Sequence, residues 1–455
     1  MSEHEPCEDC RKLPPRAYLV GALTQFAVGL HAPFLQTYLV DMQMNLRGIL
    51  NYAELGAFRS VGNVAPTLLQ PAWGAASDKI GRNKYFVAFG TLSGLLLVYL
   101  FLWAASPFDL ILLYGVQSIL FSIQIPTWLS LMGGLMGEGN RGTELGKLGM
   151  VTNLASLSAT IISGFLAGFP ALVDTLRIIL GDAGMFLLPA VDAWREAYYI
   201  PFYLTAIVGI VASILSLTIK EIKHEASIVR RLPPVHRLLA QPGDFRRFSF
   251  VAVFFSFAMS MAWPYFIVVQ RDWLNNTLLE IAVASAIMTL STIIFTIPLG
   301  RMSDRVGRKP MIMLGRGLLF LVPLMYAFAR DVYMIYAANA IAGFCTASAV
   351  NAITAYIYDV APREERGSHL AVYNTFTGVI YLAGSFFAGV LGEVITPFVG
   401  GQHLAVFIMM LVSAGLRFLA SFMYLFIREP RQYQSTLRTE VMALIHRRRH
   451  DADTV

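Results

Sequence analysis

The sequence predicts an all-α integral membrane protein, with twelve transmembrane helices in two pseudo-symmetric six-helix bundles. Three observations carry that expectation. The 455-residue chain is 56% hydrophobic and only 14% charged, against about 25% charged residues in soluble domains. Many of its apolar runs exceed the roughly 18 residues that mark a membrane span. A short loop also occurs twice in register: Gly74-Ala75-Ala76-Ser77-Asp78-Lys79-Ile80-Gly81-Arg82-Asn83-Lys84 and Gly300-Arg301-Met302-Ser303-Asp304-Arg305-Val306-Gly307-Arg308-Lys309. Its Gly, Asp and Arg are offset by 226 residues (74 to 300, 78 to 304, 82 to 308). So long a repeat in a membrane chain signals two homologous bundles.

The polar start (1–16) reads as a cytoplasmic tail. The first apolar run is too long for a signal peptide, so no cleavage is expected. The N-terminal bundle (17–219) holds spans near Ala17–Leu39, Asn51–Trp73, Tyr85–Ala105, Phe108–Leu135, Lys147–Pro170 and Tyr199–Leu217. The C-terminal bundle (248–427) holds Phe248–Gln270, Leu278–Leu299, Pro310–Ala329, Val332–Asp359, His369–Leu391 and His403–Phe426. At about 1.5 Å per residue, each is long enough for roughly 30 Å of hydrocarbon. Between the bundles lies a cytoplasmic linker (220–247). It reads as a flexible joint at Arg230-Arg231-Leu232-Pro233-Pro234, then a short amphipathic segment over Val235–Ala240. The stretch Ala171–Ala197 reads as a short helix over the outer mouth, with an unstructured loop as the alternative. Gly181, Gly184 and Pro189 argue against a further span. A basic cytoplasmic tail (428–455) ends the chain.

Lysine and arginine set the orientation. The outer loops hold only Arg47, Arg177, Arg195, Arg271 and Arg330 of the 35 basic residues. The rest crowd the other side, apart from Arg59, Arg316 and Arg417 within spans. This asymmetry puts both termini in the cytoplasm of a multi-pass protein of the cell membrane. The net charge of +6 therefore reflects topology, and no nucleic-acid partner is expected. Cys7 and Cys10, even with His4, fall short of the four ligands of a structural zinc. No metal or cofactor is expected, and a reduced cytoplasmic tail is the favoured account. No phosphate-binding G-x-x-x-x-G-K-[ST] loop is present, which argues against an ATP-driven or enzymatic role.

The repeated loop has a physical logic. Gly74 and Gly300 would let a helix end pack closely on a neighbour. Gly81 and Gly307 would permit a tight turn. Asp78 and Asp304 would face the positive end of the next helix, and Arg82 and Arg308 would pair with carboxylates or lipid phosphates. Lys79 and Arg305 complete the pattern. The bland alternative is that the basic residues merely retain the loop inside.

These residues resemble the signature loop between helices 2 and 3 of each half in the major facilitator superfamily. The second copy matches more fully; in the first, Asn83 departs from the pattern and Lys84 restores the charge. Arg141-Gly142 and Pro362-Arg363-Glu364-Glu365-Arg366-Gly367 add a second pair. The resemblance implies a transporter in which each loop is a cytoplasmic latch. It also implies a cavity between helices 1, 4, 7 and 10. Two departures leave antiport open: Tyr114-Gly115-Val116-Gln117-Ser118 lacks the arginine of an Arg-x-x-Gln-Gly motif, and in Gly168-Phe169-Pro170 the proline comes one position late.

Ionisable groups at membrane depth are costly, at least about 2.5 kcal/mol for an arginine on insertion scales. Arg59, with Asn63 one turn on, reads either as a substrate contact at the outer gate or as a structural pair of Glu54, Glu280 or an outer-loop acid. His31 reads as a proton carrier, or as a hydrogen-bonded core residue. No Asp or Glu occupies the middle of helices 1, 4, 7 or 10. Arg316 is expected to snorkel to the inner boundary, and Arg417 to pair within its own half. The cavity implied by the resemblance is offered Gln25, His31, Gln36, Gln117, Gln124 and Trp128 from the first half. Trp263, Tyr265, Gln270, Asn339 and Asn351 come from the second, beside Phe254, Phe255 and Phe257. Such an amide-and-aromatic lining suits a neutral or amphipathic organic solute, although each aromatic alone is equally a packing residue.

The expected function is transport of a small organic solute by alternating access, foremost multidrug-like efflux coupled to protons, by a monomer in the lipid bilayer. A sugar or metabolite facilitator or symporter is the nearest rival. A non-transporting receptor is the alternative of another class.

Overall fold

The computed structural model describes residues 12–136, 141–167, 171–187, 192–221, 243–362 and 365–430, without the side chains at 63–66, 71, 78, 141–142 and 183–187. His4, Cys7, Cys10, the Arg230–Pro234 joint, Val235–Ala240, Gly168–Pro170, Pro189 and most of the basic tail lie outside the described residues. So do the side chains of Asn63, Asp78 and Arg141.

Among the described residues all regular structure is helical, and eleven helices are long and apolar enough to cross a membrane. Tyr52–Ile80 is as long, at 29 residues, but is not one of the eleven. Arg59, Asn63 and Gln70 lower its apolar character. In chain order the twelve segments are Pro15–Arg47, Tyr52–Ile80, Asn83–Trp103, Pro107–Leu135, Arg141–Ala167, Ala193–Leu217, Asp244–Trp273, Leu278–Val306, Arg308–Ala327, Val332–Val360, Arg366–Ile395 and Gln402–Phe426.

Local chemistry sets the ends. Asn51 caps the second segment by accepting from the Glu54 N–H at 2.9 Å, and Asp331 caps the tenth through the Met334 N–H at 3.0 Å. Ser106 and Asp109 form a capping box ahead of Pro107. The first segment runs further than the expected Ala17–Leu39. Pro33 costs it a backbone donor and turns it through a short 3-10 stretch, Ala32–Phe34, but the helix resumes over Leu35–Arg47. Gly48 ends it in the left-handed region, at φ 67°. Arg47 is therefore the end of a helix, and Asp41 lies within one. The seventh segment also runs past the expected Gln270, through a π turn at Val269–Trp273, so Arg271 is helical. Ala171–Leu187 forms a helix broken at Gly181 (φ 53°).

The chain forms two compact units. The first joins Met1–Arg231 with Trp263–Ala286 and Ser385–Ala405; the second comprises Leu232–Ala262, Ile287–Gly384 and Val406–Val455. In the first, the Ser213 hydroxyl donates to the Ala88 carbonyl at 2.8 Å and Thr160 to that of Gly29 at 3.2 Å. In the second, Ser348 donates to Met311 at 2.8 Å and Ser413 to Ala258 at 2.7 Å. Hydrogen bonds of this kind between membrane helices contribute about 0.6 kcal/mol each. Aromatic clusters fill out the cores: Tyr38 against Tyr198 and Phe202 in the first unit, Phe248 against Tyr356 and Tyr373 in the second.

Candidate functional site

Both repeated loops turn on a left-handed glycine, Gly81 at φ 66° and Gly307 at φ 114°. Beyond the turn they differ. In the second copy Arg308 is buried and organises a network. Its Nη1 donates to Asp304 at 2.6 Å and to the Ser303 hydroxyl at 3.0 Å, and its Nε donates to Asp359 at 3.3 Å. Asp359 stands at the end of the tenth segment with a side chain only 5% exposed. In the first copy Arg82 is exposed, and its guanidinium lies 5.8 Å from the Tyr85 ring centre. Lys79 and Arg305 are exposed as well.

Two expectations for these loops need correction. A Cβ on Gly74 would meet nothing nearer than Pro126 at 3.8 Å, and one on Gly300 nothing within 4 Å. Among the described residues, these glycines therefore make no close helix contact. Nor does Asp304 cap the next helix, since it turns to Arg308 instead. That role belongs to Glu429, which accepts from the Arg308 N–H at 3.2 Å and the Lys309 N–H at 2.8 Å. Glu221 does the same for Asn83 (2.6 Å) and Lys84 (3.4 Å) in the first half. Burial raises the Glu429 carboxyl above its ordinary range, against the pull of those two N–H groups. A third carboxylate, Glu144, accepts from the Leu13 N–H at 3.0 Å and the Tyr18 hydroxyl at 2.7 Å, tying down the start of the first helix. Sequence reasoning missed all three glutamates. For Glu221 and Glu429 the available signal was a Glu just past the sixth and twelfth segments.

At the opposite end of the first unit, residues of six segments are fastened together. Arg271 forks onto Asp41, Nε to Oδ1 at 2.6 Å and Nη2 to Oδ2 at 2.9 Å. The Tyr198 hydroxyl donates to the same carboxylate at 2.6 Å. Gln36 donates to the Pro264 carbonyl at 3.1 Å and accepts from Arg59 Nε at 2.6 Å. Glu393 accepts from the Tyr52 N–H at 2.9 Å, and Gln402 donates to the Leu50 carbonyl at 2.7 Å. The Tyr265 hydroxyl donates to the Ala388 carbonyl. Gly56 and Gly389 meet backbone to backbone: a Cβ on Gly56 would lie 2.7 Å from the Ser385 carbonyl oxygen. Asp41 lies beyond the expected end of its helix at Leu39, so the sequence alone does not mark it as a site residue.

The remaining residues fall into separate places. Gln25, Gln124 and Trp128 line one cavity of about 200 Å³ with Thr24 and Thr152. His31 is buried and its Nδ1 is 2.9 Å from the Ala27 carbonyl. No carboxylate among the described residues contacts it. Arg59 is exposed. Of its expected acidic partners, Glu54 pairs with Arg47 at 2.9 Å and Glu280 binds Thr277. Gln117 and Gln270 are buried, and Trp263 is half-buried. Asn339 donates to Tyr326 at 2.7 Å within the second unit, and Asn351 is exposed. Arg316 does not snorkel. It is buried, with Nη1 3.4 Å from the Met259 sulfur. Arg417, also buried, donates to the Leu319 carbonyl at 3.2 Å and that of Met259 at 2.6 Å.

The family profile described as Major Facilitator Superfamily matches residues 17–267 and 248–450. An uncharacterised MFS-type transporter of Methanocaldococcus jannaschii, MJ1317, is 23% identical over 396 residues, 85% of this chain and 91% of that protein. The multi-drug resistance efflux pump PmrA of Streptococcus pneumoniae is 26% identical over 179 residues, 38% of this chain and 42% of the pump. A solved bacterial homolog of the human lysosomal transporter Spinster, inward-facing and occupied, shares the fold. Its TM-score is 0.70 over 91% of this chain and 97% of that one, at 16% identity.

Proposed function

The chain belongs to the major facilitator superfamily and is a secondary transporter, and from that premise we propose that it exports a small amphipathic organic solute by proton antiport. One observation carries the solute class. The cavity of Gln25, Gln124 and Trp128 offers amides, threonine hydroxyls, an indole and leucines, and no charged residue among the described ones lines it. Kinship with PmrA, an efflux pump, supports the direction. The basic loops lie in the cytoplasm with both termini. The fastened end around Asp41, Arg271 and Gly389 is then a closed outer gate, and the loops of Asp78 and Asp304 are the latches of the other side. His31 is the proton carrier of this reading, because an ordinary imidazole titrates near neutrality.

The test uses purified protein in vesicles and labelled chloramphenicol, a neutral amphipathic solute. An imposed pH gradient should drive its accumulation in wild type, and His31→Gln should abolish the response. Movement that ignores the gradient would favour a facilitator. The burial of His31 already speaks for that second reading, since a proton needs a path to the ring.

A further inference from the structure

We propose that the second unit holds an anion subsite centred on Arg316, which takes the carboxylate or phosphate group of an amphipathic solute. The inference deepens the transport proposal and rests on it. Arg316 is 8% exposed, and its Nε has no hydrogen-bond partner. No carboxylate among the described residues contacts it. Its neighbours are of another kind. The Phe255 ring centre lies 4.7 Å from the guanidinium carbon, and the Met259 sulfur is 3.4 Å from Nη1. The hydroxyl-bearing rings of Tyr373, Tyr381 and Tyr424 surround it. Arg417 adds a second buried guanidinium, close enough for the two charges to repel.

A buried cation is ordinarily neutralised by a buried acid. Here two cations share one region, and the groups around Arg316 are a π face, a thioether and hydroxyls. These soften the charge without cancelling it. An incoming anionic oxygen would cancel it and meet both a guanidinium and tyrosine O–H donors. Met259 and Tyr381 are the half-buried members of the set, and an incoming anion would pass them. Phe255 supplies an aromatic wall for an apolar body attached to the anion.

The probes are benzoate and benzamide, equal in shape and different in charge. Each is titrated against the full chain in phosphatidylcholine nanodiscs, and its dissociation constant is read from the rise in melting temperature. Benzoate should bind about tenfold tighter or more, the ratio of one charged hydrogen bond. Arg316→Met should erase the preference, and Arg316→Lys should keep part of it. Tyr381→Phe, which preserves the ring, serves if Arg316→Met does not fold. It should weaken benzoate and leave benzamide unchanged. Equal binding in wild type, no binding of either probe, or a preference that survives in the foldable variants would overturn the subsite. Phosphatidylglycerol in the nanodisc should not compete. If it abolishes benzoate binding, the site belongs to lipid headgroups and the solute assignment fails. Chloramphenicol transport is read separately. Its persistence without a benzoate preference sinks the subsite alone, and its absence in wild type sinks the export reading alone.

Discussion

The loop at Gly74–Lys84 and the loop at Gly300–Lys309 are close copies in sequence and different machines in structure. Arg308 is drawn inward because the tenth segment ends in Asp359, a carboxylate with a 5% exposed side chain. The position 226 residues earlier is Gly133, which offers no charge, and Arg82 stays at the surface over Tyr85. What the halves do share is a glutamate outside the motif. Glu221 and Glu429 each hold the first two N–H groups of the helix that follows the loop. The difference teaches that a motif arginine is only as structural as the acid facing it. That acid can lie fifty residues away.

The sharpest way to break this comparison is to remove both arginines. Arg308→Ala takes a buried partner from Asp359, and loss of one partner of a buried pair costs roughly 3–5 kcal/mol. Arg82→Ala should stay within about 0.5 kcal/mol of wild type, as exposed substitutions do. Thermal or denaturant melts of the purified variants decide it, and equal losses would dissolve the distinction between the copies. The caps test the opposite claim, that the halves are alike. Glu221→Ala and Glu429→Ala should each lower stability by about 0.5–2 kcal/mol, the ordinary value of a helix cap. A loss confined to one half would show that only one cap matters.

The smallest effect comes from repairing the first copy. Gly133→Asp supplies the acid that the first half lacks. Nothing lies within 4 Å of a Cβ there. One turn earlier, Ser130 already meets the loop, accepting from Asn83 at 3.1 Å. Gly133→Asp should gain up to about 1 kcal/mol. The gain should vanish when Arg82→Ala is added, which a double-mutant cycle isolates. A gain that survives without Arg82 would be helix propensity alone.

Much was legible in the chain itself. Apolar runs longer than 18 residues, the doubled loop and the crowding of Lys and Arg on alternate loops do not depend on how helices pack. The turns at Gly81 and Gly307 were legible for the same reason, since a left-handed backbone is a local demand. Helix ends were less so. The first span is expected to end at Leu39, yet the helix continues to Arg47 and carries Asp41 to within reach of Arg271, 230 residues on. Only the tertiary structure decided which charges meet. It left Asp304 to Arg308 and gave the helix end to Glu429. It drew Arg316 into a ring of tyrosines when its place near a span end suggested snorkelling, and it gathered Gln25, Gln124 and Trp128 while leaving Asn339 and Asn351 elsewhere. The physical reason is range. Hydropathy, capping and turn chemistry act within a few residues, whereas a side chain's electrostatic partner is set by three-dimensional proximity that sequence distance does not encode.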